Sequence, residues 1–216
     1  MMKSTEEYRD SLRSYSPRVF IDGRRIENVA DEPLLQPGIN GIGITYDYAS
    51  NPDFAPLMLA REQETGKMVN RLLHIDRTTD DLLAKLEAIR ILCCEAGCVQ
   101  RYLVHDAFNG LYQATKRCDA EEGTEYFERF RDFMIEVQDK DLSYGIAMTD
   151  AKGDRSKKPH QQQHRDSYLH IVEERPDGIV ISGTKAIVTS APYMHGFIVM
   201  PCRAMTPDDT AFAVCC

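Results

Sequence analysis

The sequence predicts an α+β protein, with a helical domain over residues 1–140 that includes a small β-hairpin and a β-rich domain over residues 141–216. Two observations support this division. In the first part of the chain, apolar residues recur three and four positions apart, which is typical of amphipathic helices. Beyond Asp141, short runs rich in β-branched residues are separated by turns that contain Gly and Pro, as in strands.

The first predicted elements are a short helix and a hairpin. Residues 4–15 suit a helix, and Asp22-Gly23 then lies between two short runs, which is the usual signal of a two-residue hairpin turn. Further helices are expected to begin soon after the prolines of the next stretch, where a missing amide proton costs little. These prolines are Pro33, Pro37, Pro52 and Pro56.

A longer helix is predicted over residues 79–97. The segment from Thr78 to Asp81 has the pattern of a capping box. Apolar residues follow it at helical spacing, namely Leu82, Leu83, Leu86, Ile89 and Leu92. In the β-rich part, the expected strands are YLHIVEE, GIVISGTKAIVT and GFIVMP. The final AFAVCC resembles the opening of another strand, so we expect the sequence to stop inside a partial β domain.

Composition excludes some classes of partner. Lys and Arg total 26 against 34 Asp and Glu, so the net charge of -8 provides no broad basic face for nucleic acid. No apolar run approaches the roughly 20 residues that span a bilayer, and the charged N-terminus lacks an apolar signal core. The seven cysteines are odd in number and include adjacent pairs, which fits a reduced compartment. We therefore expect a cytoplasmic protein that binds neither nucleic acid nor membrane.

The segment MTDAKGDR, Met148 to Arg155, lies where helical spacing gives way to β-rich runs. A loop of this kind can offer backbone amides and a Thr hydroxyl to the edge of a flat heteroaromatic ring, while Gly153 permits close approach. Lys152 or Arg155 would supply positive charge. From these residues alone, an ordinary surface turn remains the alternative.

Several ordered segments together resemble the family of 4-hydroxybutyryl-CoA dehydratases and 4-hydroxyphenylacetate 3-hydroxylases. They are EEYRDSL, VFIDGRRIEN, DEPLLQPGIN, TYDYASNPDFAPLM, TTDDL, CVQR, HDAFN, MTDAKGDR, IVEERPDGIVISGTKA and VMP. The form of MTDAKGDR resembles the dehydratase branch more than the hydroxylase branch. The resemblance implies an architecture like that of acyl-CoA dehydrogenases, in which a helical domain precedes a β-barrel-like domain and the C-terminal helical bundle is missing here.

The resemblance also implies FAD as the cofactor. Its contacts are carried over to Met148, Thr149, Lys152, Asp154 and Arg155 in the loop. A second group, Val188, Thr189 and Ser190, would follow a strand formed by GTKAI. Dehydratases of this family also hold a [4Fe-4S] cluster, and alignment on HDAFN places Cys98 at one ligand position and Tyr102 at the next. A phenol replaces a thiolate poorly, so a family-type cluster is not expected. Cys94 and Cys98 keep helical i, i+4 spacing and form an alternative pair.

The remaining candidates are Arg101, Tyr102 and His105, which resemble substrate-holding residues of the hydroxylases and are predicted as catalytic. The alternative is that Arg101 pairs with Asp106 or Glu95 and that His105 is only a hydrogen-bonded residue. Three functions follow from the resemblance: an FAD-dependent dehydratase/isomerase, a flavin-dependent aromatic hydroxylase, or a non-catalytic flavin-binding fragment. The expected partners are a small acyl-CoA or phenolic acid, together with further copies of this chain or a complementary C-terminal chain.

Overall fold

The computed structural model of the protein describes residues 2–216, which fall into two units. The first unit comprises the chain up to Tyr144 together with Pro192–His195, and the second comprises Gly145–Ala191 with Gly196–Cys216. Helices and strands are mixed along the chain, as the predicted α+β class requires. Within the described residues, we find no helix that is both long and apolar enough to cross a membrane.

The α-helices are α1 Thr5–Arg13, α2 Gln36–Ser50, α3 Ala55–Met58, α4 Thr79–Ala96, α5 Val104–Glu122 and α6 Tyr126–Asp139. The strands are β1 Val19–Ile21, β2 Arg24–Ile26, β3 Leu59–Arg61, β4 Met68–Asn70, β5 Tyr144–Ala147, β6 His170–Arg175, β7 Gly178–Ser182 and β8 Gly196–Val199. Short 3-10 helices span Val29–Asp31, Arg71–Leu73, Gln100–Leu103, Pro159–Gln161, Arg165–Ser167, Ala191–Tyr193 and Pro207–Phe212.

Local sequence signals set several of these boundaries. The Ser4 hydroxyl caps α1 by accepting a hydrogen bond from the Glu7 amide, while the Glu7 carboxylate accepts one from the Ser4 amide. Asp22 and Gly23 both have positive φ and join β1 to β2, so the predicted hairpin is confirmed. A proline stands in the first turn of both α2 and α3, as predicted.

The predicted helix after residue 78 is confirmed as α4, and the Thr78 capping box starts it. Several of the apolar residues that indicated this helix are nevertheless exposed. Leu82, Leu83 and Leu86 are 49%, 58% and 63% exposed, whereas Lys85 is only 2% exposed. Lys85 can be buried because Asp76 balances its charge and the His74 carbonyl accepts a hydrogen bond from its ammonium group. The spacing of apolar residues does not reveal this arrangement.

The alternative placement of Cys94 and Cys98 on one helix face is not observed. Gly97 has a φ of 75° and ends α4 one residue after Ala96. Left-handed backbone of this kind favours glycine and commonly terminates helices. Cys98 therefore lies outside the helix that carries Cys94.

The second unit contains paired strands in place of the expected continuous runs. β5 pairs with β8, and β6 pairs with β7 in a hairpin, so the described residues contain two-stranded sheets and no barrel. GTKAI does not form a strand, because Gly183 and Ile187 have positive φ and Lys185 makes only an isolated bridge to Asp150. A Cβ at Gly183 would lie 2.5 Å from the Leu169 Cα, so only glycine fits that backbone crossing.

The last expected strand, AFAVCC, is likewise not observed. Thr206 and Asp209 form a capping box that opens a 3-10 helix over Pro207–Phe212, so the first two residues of AFAVCC are helical. Residues 213–216 have no regular secondary structure. Cys216 nevertheless exchanges two backbone hydrogen bonds with Val199, of 2.7 and 3.1 Å, at the end of β8.

Candidate functional site

The segment Met148 to Arg155 leaves the end of β5 as an open loop in the second unit. Met148 is 41% exposed and Thr149 is half-buried. The Thr149 carbonyl accepts a 2.7 Å hydrogen bond from the Ala186 amide, and the Ala151 amide donates to the Thr184 carbonyl. The start of this loop therefore runs beside residues 184–186, which lead directly into the second predicted group of contacts.

The middle of the loop is a tight turn with its own polar scaffold. Lys152 and Gly153 both have positive φ. The Gln162 side chain accepts a hydrogen bond from the Asp154 amide at 2.9 Å and donates one to its carbonyl at 2.8 Å. Hydrogen bonds from Ser156 to the Asp154 carboxylate lower the pKa of that carboxyl. Asp154 is therefore engaged in shaping the turn, while Arg155 is exposed and pairs with no described residue.

The second segment, Val188 to Ser190, begins just after a backbone outlier. Ile187 has a φ of 56° and is 91% exposed, although β-branched residues rarely adopt left-handed backbone. Ser190 also has positive φ and is buried, and its hydroxyl finds no hydrogen-bond partner within the described part of the chain. A buried hydroxyl without a partner is uncommon and needs an explanation such as a ligand or water.

These two segments carry hydrogen-bond donors without partners in the described residues. The loop leaves the Thr149 hydroxyl and the Arg155 guanidinium free of hydrogen bonds with described residues, and the second segment offers the unpartnered Ser190 hydroxyl. Such donors, combined with exposed loop backbone, can hold the polar edge of a heteroaromatic ring or an anionic phosphate. Met148, Lys152, Val188 and Thr189 lie on the same two segments.

Sequence reasoning missed an ion pair between the first segment and a residue just before the second segment. The Lys185 ammonium lies 2.7 Å from the Asp150 carboxylate, and both side chains are largely buried. Asp150 lies inside MTDAKGDR and Lys185 inside the GTKA run, so both positions belong to segments that carry the family resemblance. Only the opposite charges could have suggested the pairing, because the two residues are distant in sequence.

Arg101 lies in a buried polar cluster of the first unit. It is 0% exposed, and its guanidinium pairs with the Asp141 carboxylate at 2.5 Å and donates to the Thr45 hydroxyl at 3.1 Å. The suggested pairing of Arg101 with Asp106 or Glu95 is wrong, because the chain brings Asp141 to it instead. A substrate contact by Arg101 stays a prediction.

His105 lies at the edge of a second charged cluster in the first unit. Its Nε2 is 2.6 Å from the Asp76 carboxylate, and Lys85 lies 2.8 Å from the other Asp76 oxygen. Burial alone would raise the pKa of Asp76, but His105, His74 and Lys85 around its carboxylate lower it instead. The pKa of Lys85 falls to about 8 because burial outweighs its attraction to Asp76. The alternative interpretation of His105, a hydrogen-bonded residue, agrees with these contacts.

The predicted iron ligand positions do not form a thiolate cluster in the described residues. Cys94 and Cys98 are exposed, and the Gln100 amide nitrogen lies 2.7 Å from the Cys98 sulfur. Tyr102 is half-buried in the 3-10 helix before α5, and burial, together with the nearby Cys98, raises the pKa of its phenol. Residues 2–216 contain no group of three or more His, Cys, Asp or Glu side chains arranged to hold a metal ion. A phenol beside Cys98 at the second ligand position does not fit the thiolate ligands of a [4Fe-4S] cluster.

Two known proteins are similar in sequence to this chain over more than nine-tenths of its length. The chain is 40% identical over 215 residues to the 4-hydroxybutyryl-CoA dehydratase/vinylacetyl-CoA-Δ-isomerase of Clostridium aminobutyricum, covering 99% of this chain and 44% of that protein. It is 27% identical over 209 residues to the oxygenase component of 4-hydroxyphenylacetate 3-monooxygenase from Geobacillus, covering 92% of this chain and 40% of that protein. The chain thus spans less than half the length of these relatives.

Solved structures show the same fold. An oxygen-tolerant archaeal 4-hydroxybutyryl-CoA dehydratase from N. maritimus superposes with a TM-score of 0.95 at 36% identity, over 100% of this chain and 43% of that chain. The HpaB oxygenase component of 4-hydroxyphenylacetate 3-monooxygenase, complexed with FAD, gives a TM-score of 0.82 at 19% identity over 99% of this chain and 44% of its own. Residues 4–216 match the family described as 4-hydroxyphenylacetate 3-hydroxylase N terminal, and the chain belongs to this family.

Proposed function

We propose that this chain carries the flavin-binding loops of an FAD-dependent dehydratase/isomerase that acts on a 4-hydroxyacyl-CoA. One observation carries the proposal: two adjacent loops, Met148 to Arg155 and Val188 to Ser190, leave a buried hydroxyl and a guanidinium without partners in the described residues. The 40% identity to a 4-hydroxybutyryl-CoA dehydratase/isomerase supports this substrate class over a phenol. Bound FAD would supply the exchange of single electrons with the substrate.

In this proposal the chain orients the cofactor. Thr149 and Ser190 hydrogen-bond the polar edge of the ring system, and Arg155 supplies positive charge to an anionic part of FAD. Lys152 and Gly153 hold the turn open so that backbone groups approach the ring, while Val188 and Thr189 extend the second contact. The complete architecture would be like that of acyl-CoA dehydrogenases, with the rest of the β domain and a helical bundle supplied by residues outside this chain or by another chain. A cytoplasmic location fits the seven free cysteines.

A second candidate is a flavin-dependent hydroxylase of phenolic acids, and Tyr102 favours it. Tyr102 stands where the dehydratase resemblance expects a thiolate, and burial, with the nearby Cys98, raises the pKa of its phenol. A protonated phenol can donate a hydrogen bond to the oxygen of a phenolic substrate, whereas it ligates iron poorly.

The experiment is an FAD titration of the purified chain, followed by addition of either 4-hydroxybutyryl-CoA or 4-hydroxyphenylacetate. We expect FAD fluorescence to change saturably and the flavin absorption bands to respond to the acyl-CoA compound. A response to 4-hydroxyphenylacetate alone would favour the hydroxylase. Flavin binding without a response to either compound would support the third function, a non-catalytic flavin-binding fragment. The absence of a saturable change with FAD would contradict the proposal.

A further inference from the structure

Lys185 is held by three oxygen atoms in the second unit. Its ammonium nitrogen lies 2.7 Å from the Asp150 carboxylate, 3.0 Å from the Met148 carbonyl and 2.9 Å from the Met200 carbonyl. Its side chain is only 10% exposed, and that of Asp150 is 2% exposed. The two carbonyls accept hydrogen bonds from the ammonium group, and the carboxylate balances its charge.

The same ion pair joins separate stretches of backbone. The Asp150 carboxylate also accepts a hydrogen bond from the Leu169 amide, at 3.3 Å. Asp150 and Lys185 themselves form an isolated antiparallel bridge, which the hydrogen bonds of Ala151 and Ala186 extend on either side. The pair thus fixes the start of MTDAKGDR against residues 184–186 and against the backbone beyond β8.

In each loop, a residue shortly after the bridge has an unfavourable backbone conformation. Lys152 lies two positions after Asp150 with a φ of 74°, and Ile187 lies two positions after Lys185 with a φ of 56°. Residues in such conformations persist when the surrounding structure restrains them. The exposed Ile187 side chain packs against little, so its own burial does not supply that restraint. The Lys152 amide donates a 3.1 Å hydrogen bond to the Ser167 carbonyl, and the buried ion pair is a further restraint that both loops share.

We propose that Lys185 is a positioning residue for FAD: paired with Asp150, it sets the geometry of both flavin-binding loops without touching the cofactor. The proposal rests on the function proposed above. A compact ammonium suits a site built from one carboxylate and two carbonyls, whereas a larger, planar guanidinium cannot contact all three oxygen atoms in the same space. We therefore expect the FAD dissociation constant to rise at least tenfold in Lys185→Met and by an intermediate factor in Lys185→Arg.

The test compares FAD titrations with amide hydrogen exchange measured without FAD. Lys185→Met should raise the dissociation constant and speed exchange in the peptides that contain Ala151 and Ala186, while Lys67→Met, which removes an exposed ion pair with Asp139, should change neither. Because Lys185→Met leaves Asp150 buried and unpaired, the double variant Asp150→Asn/Lys185→Met provides a folded alternative without an isolated charge. It should show the same weakened FAD binding and the same faster exchange.

The outcomes separate the two proposals. If the parent chain binds no FAD, the proposed function is contradicted, while slow exchange that becomes fast in both Lys185 variants would still show that the pair holds the loops. If the parent binds FAD and the folded double variant binds it equally well, with unchanged exchange, the positioning role of Lys185 is overturned. Partial recovery of FAD affinity in Lys185→Arg would support it, because a purely apolar packing role would not respond to restored charge.

Discussion

The guanidinium carbon of Arg101 lies 4.0 Å from the centre of the Tyr46 ring, and both side chains are 0% exposed. Tyr46 in turn stacks on Tyr8, with the ring centres 5.0 Å apart. The charge of Arg101 is balanced by Asp141, which is itself 0% exposed. Arg101 therefore stabilises the interior of the first unit through an ion pair and a cation–π contact together.

Replacing Arg101 by Met should destabilise the protein strongly, because Asp141 is left buried without its partner. We expect the free energy of unfolding to fall by about 3 to 5 kcal/mol, as for other broken buried ion pairs. The double variant Arg101→Met/Asp141→Asn should recover part of that loss. Urea unfolding followed by circular dichroism measures both, and Arg117→Met, whose partner Glu121 is also exposed, is the matched control. A loss below about 1 kcal/mol in Arg101→Met would contradict the structural role.

His195 should make the first unit sensitive to mild acid. Its Nδ1 accepts a hydrogen bond from the Ser143 amide at 2.9 Å, so the neutral ring carries its proton on Nε2, 2.8 Å from the Ser11 hydroxyl. Burial, with repulsion from Lys3 and Arg101, lowers the pKa of His195 from 6.5 to about 4. As the pH falls, His195 binds its proton at a higher pH in the unfolded chain than in the folded protein. Stability is therefore present above pH 6.5 and is lost as the pH falls towards 4, by roughly 3 kcal/mol.

Urea midpoints measured between pH 7 and pH 4 test this expectation. His195→Asn keeps an acceptor near the Ser143 amide and does not titrate, so its stability should decline less over the same interval. His164→Asn replaces an exposed histidine and should follow the parent. Parallel curves for the parent and His195→Asn would show that His195 is not the source of the acid sensitivity.

The local elements of this fold were largely predictable, whereas the contacts that decide burial were not. Asp22-Gly23 and the Thr78 capping box depend on neighbouring residues, so sequence alone identifies them. The buried side of α4 depends on Asp76, which reaches Lys85 only after the chain has folded. Gly97 is a local signal of the same kind, and it ends α4 before Cys98.

The candidate site shows the same limit. Family resemblance pointed to MTDAKGDR and to Val188, Thr189 and Ser190, and in the structure one bridge joins the first segment to Lys185, three residues before the second. The bridge itself, Asp150 with Lys185, could not be derived, because a single sequence carries no information on which distant charges meet. Asp141 as the partner of Arg101 was missed for the same reason.

Thr149 and Arg155 should each contribute to FAD affinity. Removing the Thr149 hydroxyl or the Arg155 charge should weaken binding about fivefold to tenfold each, as expected for the loss of one hydrogen bond or one exposed charge contact. Fluorescence titration of FAD against Thr149→Ala and Arg155→Ala measures this. Arg175→Ala, in the exposed β6–β7 hairpin, is the control for loss of a charge. Unchanged affinity in both loop variants, against clear binding by the parent, would remove the loop from the site.

The exposed leucines of α4 should promote association between chains. Leu82, Leu83 and Leu86 are 49%, 58% and 63% exposed and lie within two turns of one helix. Apolar residues grouped in this way favour contact with another surface. We expect the weight-average mass in sedimentation to rise with concentration, and Leu83→Gln/Leu86→Gln to weaken this at least tenfold. Leu34→Gln removes a leucine that is 64% exposed elsewhere and should have no effect. A concentration-independent monomer would contradict the expectation.

The chain should hold no stable [4Fe-4S] cluster. Cys98 lies beyond the end of α4, so it does not share a helix face with Cys94, and Tyr102 offers a phenol whose pKa is raised by burial and by Cys98. Cluster assembly needs several thiolates placed together, and Cys98 without a second thiolate at position 102 does not provide them. Anaerobic reconstitution with iron and sulfide, followed by desalting and metal analysis, should therefore leave far less than about four irons per chain.

Tyr102→Cys adds a second thiol near Cys98 and should retain more iron than the parent. Retention of about four irons by the parent would contradict the prediction. Loss of that iron in Cys94→Ala would then identify Cys94 as a ligand after rearrangement of the α4 terminus, whereas its retention would exclude Cys94.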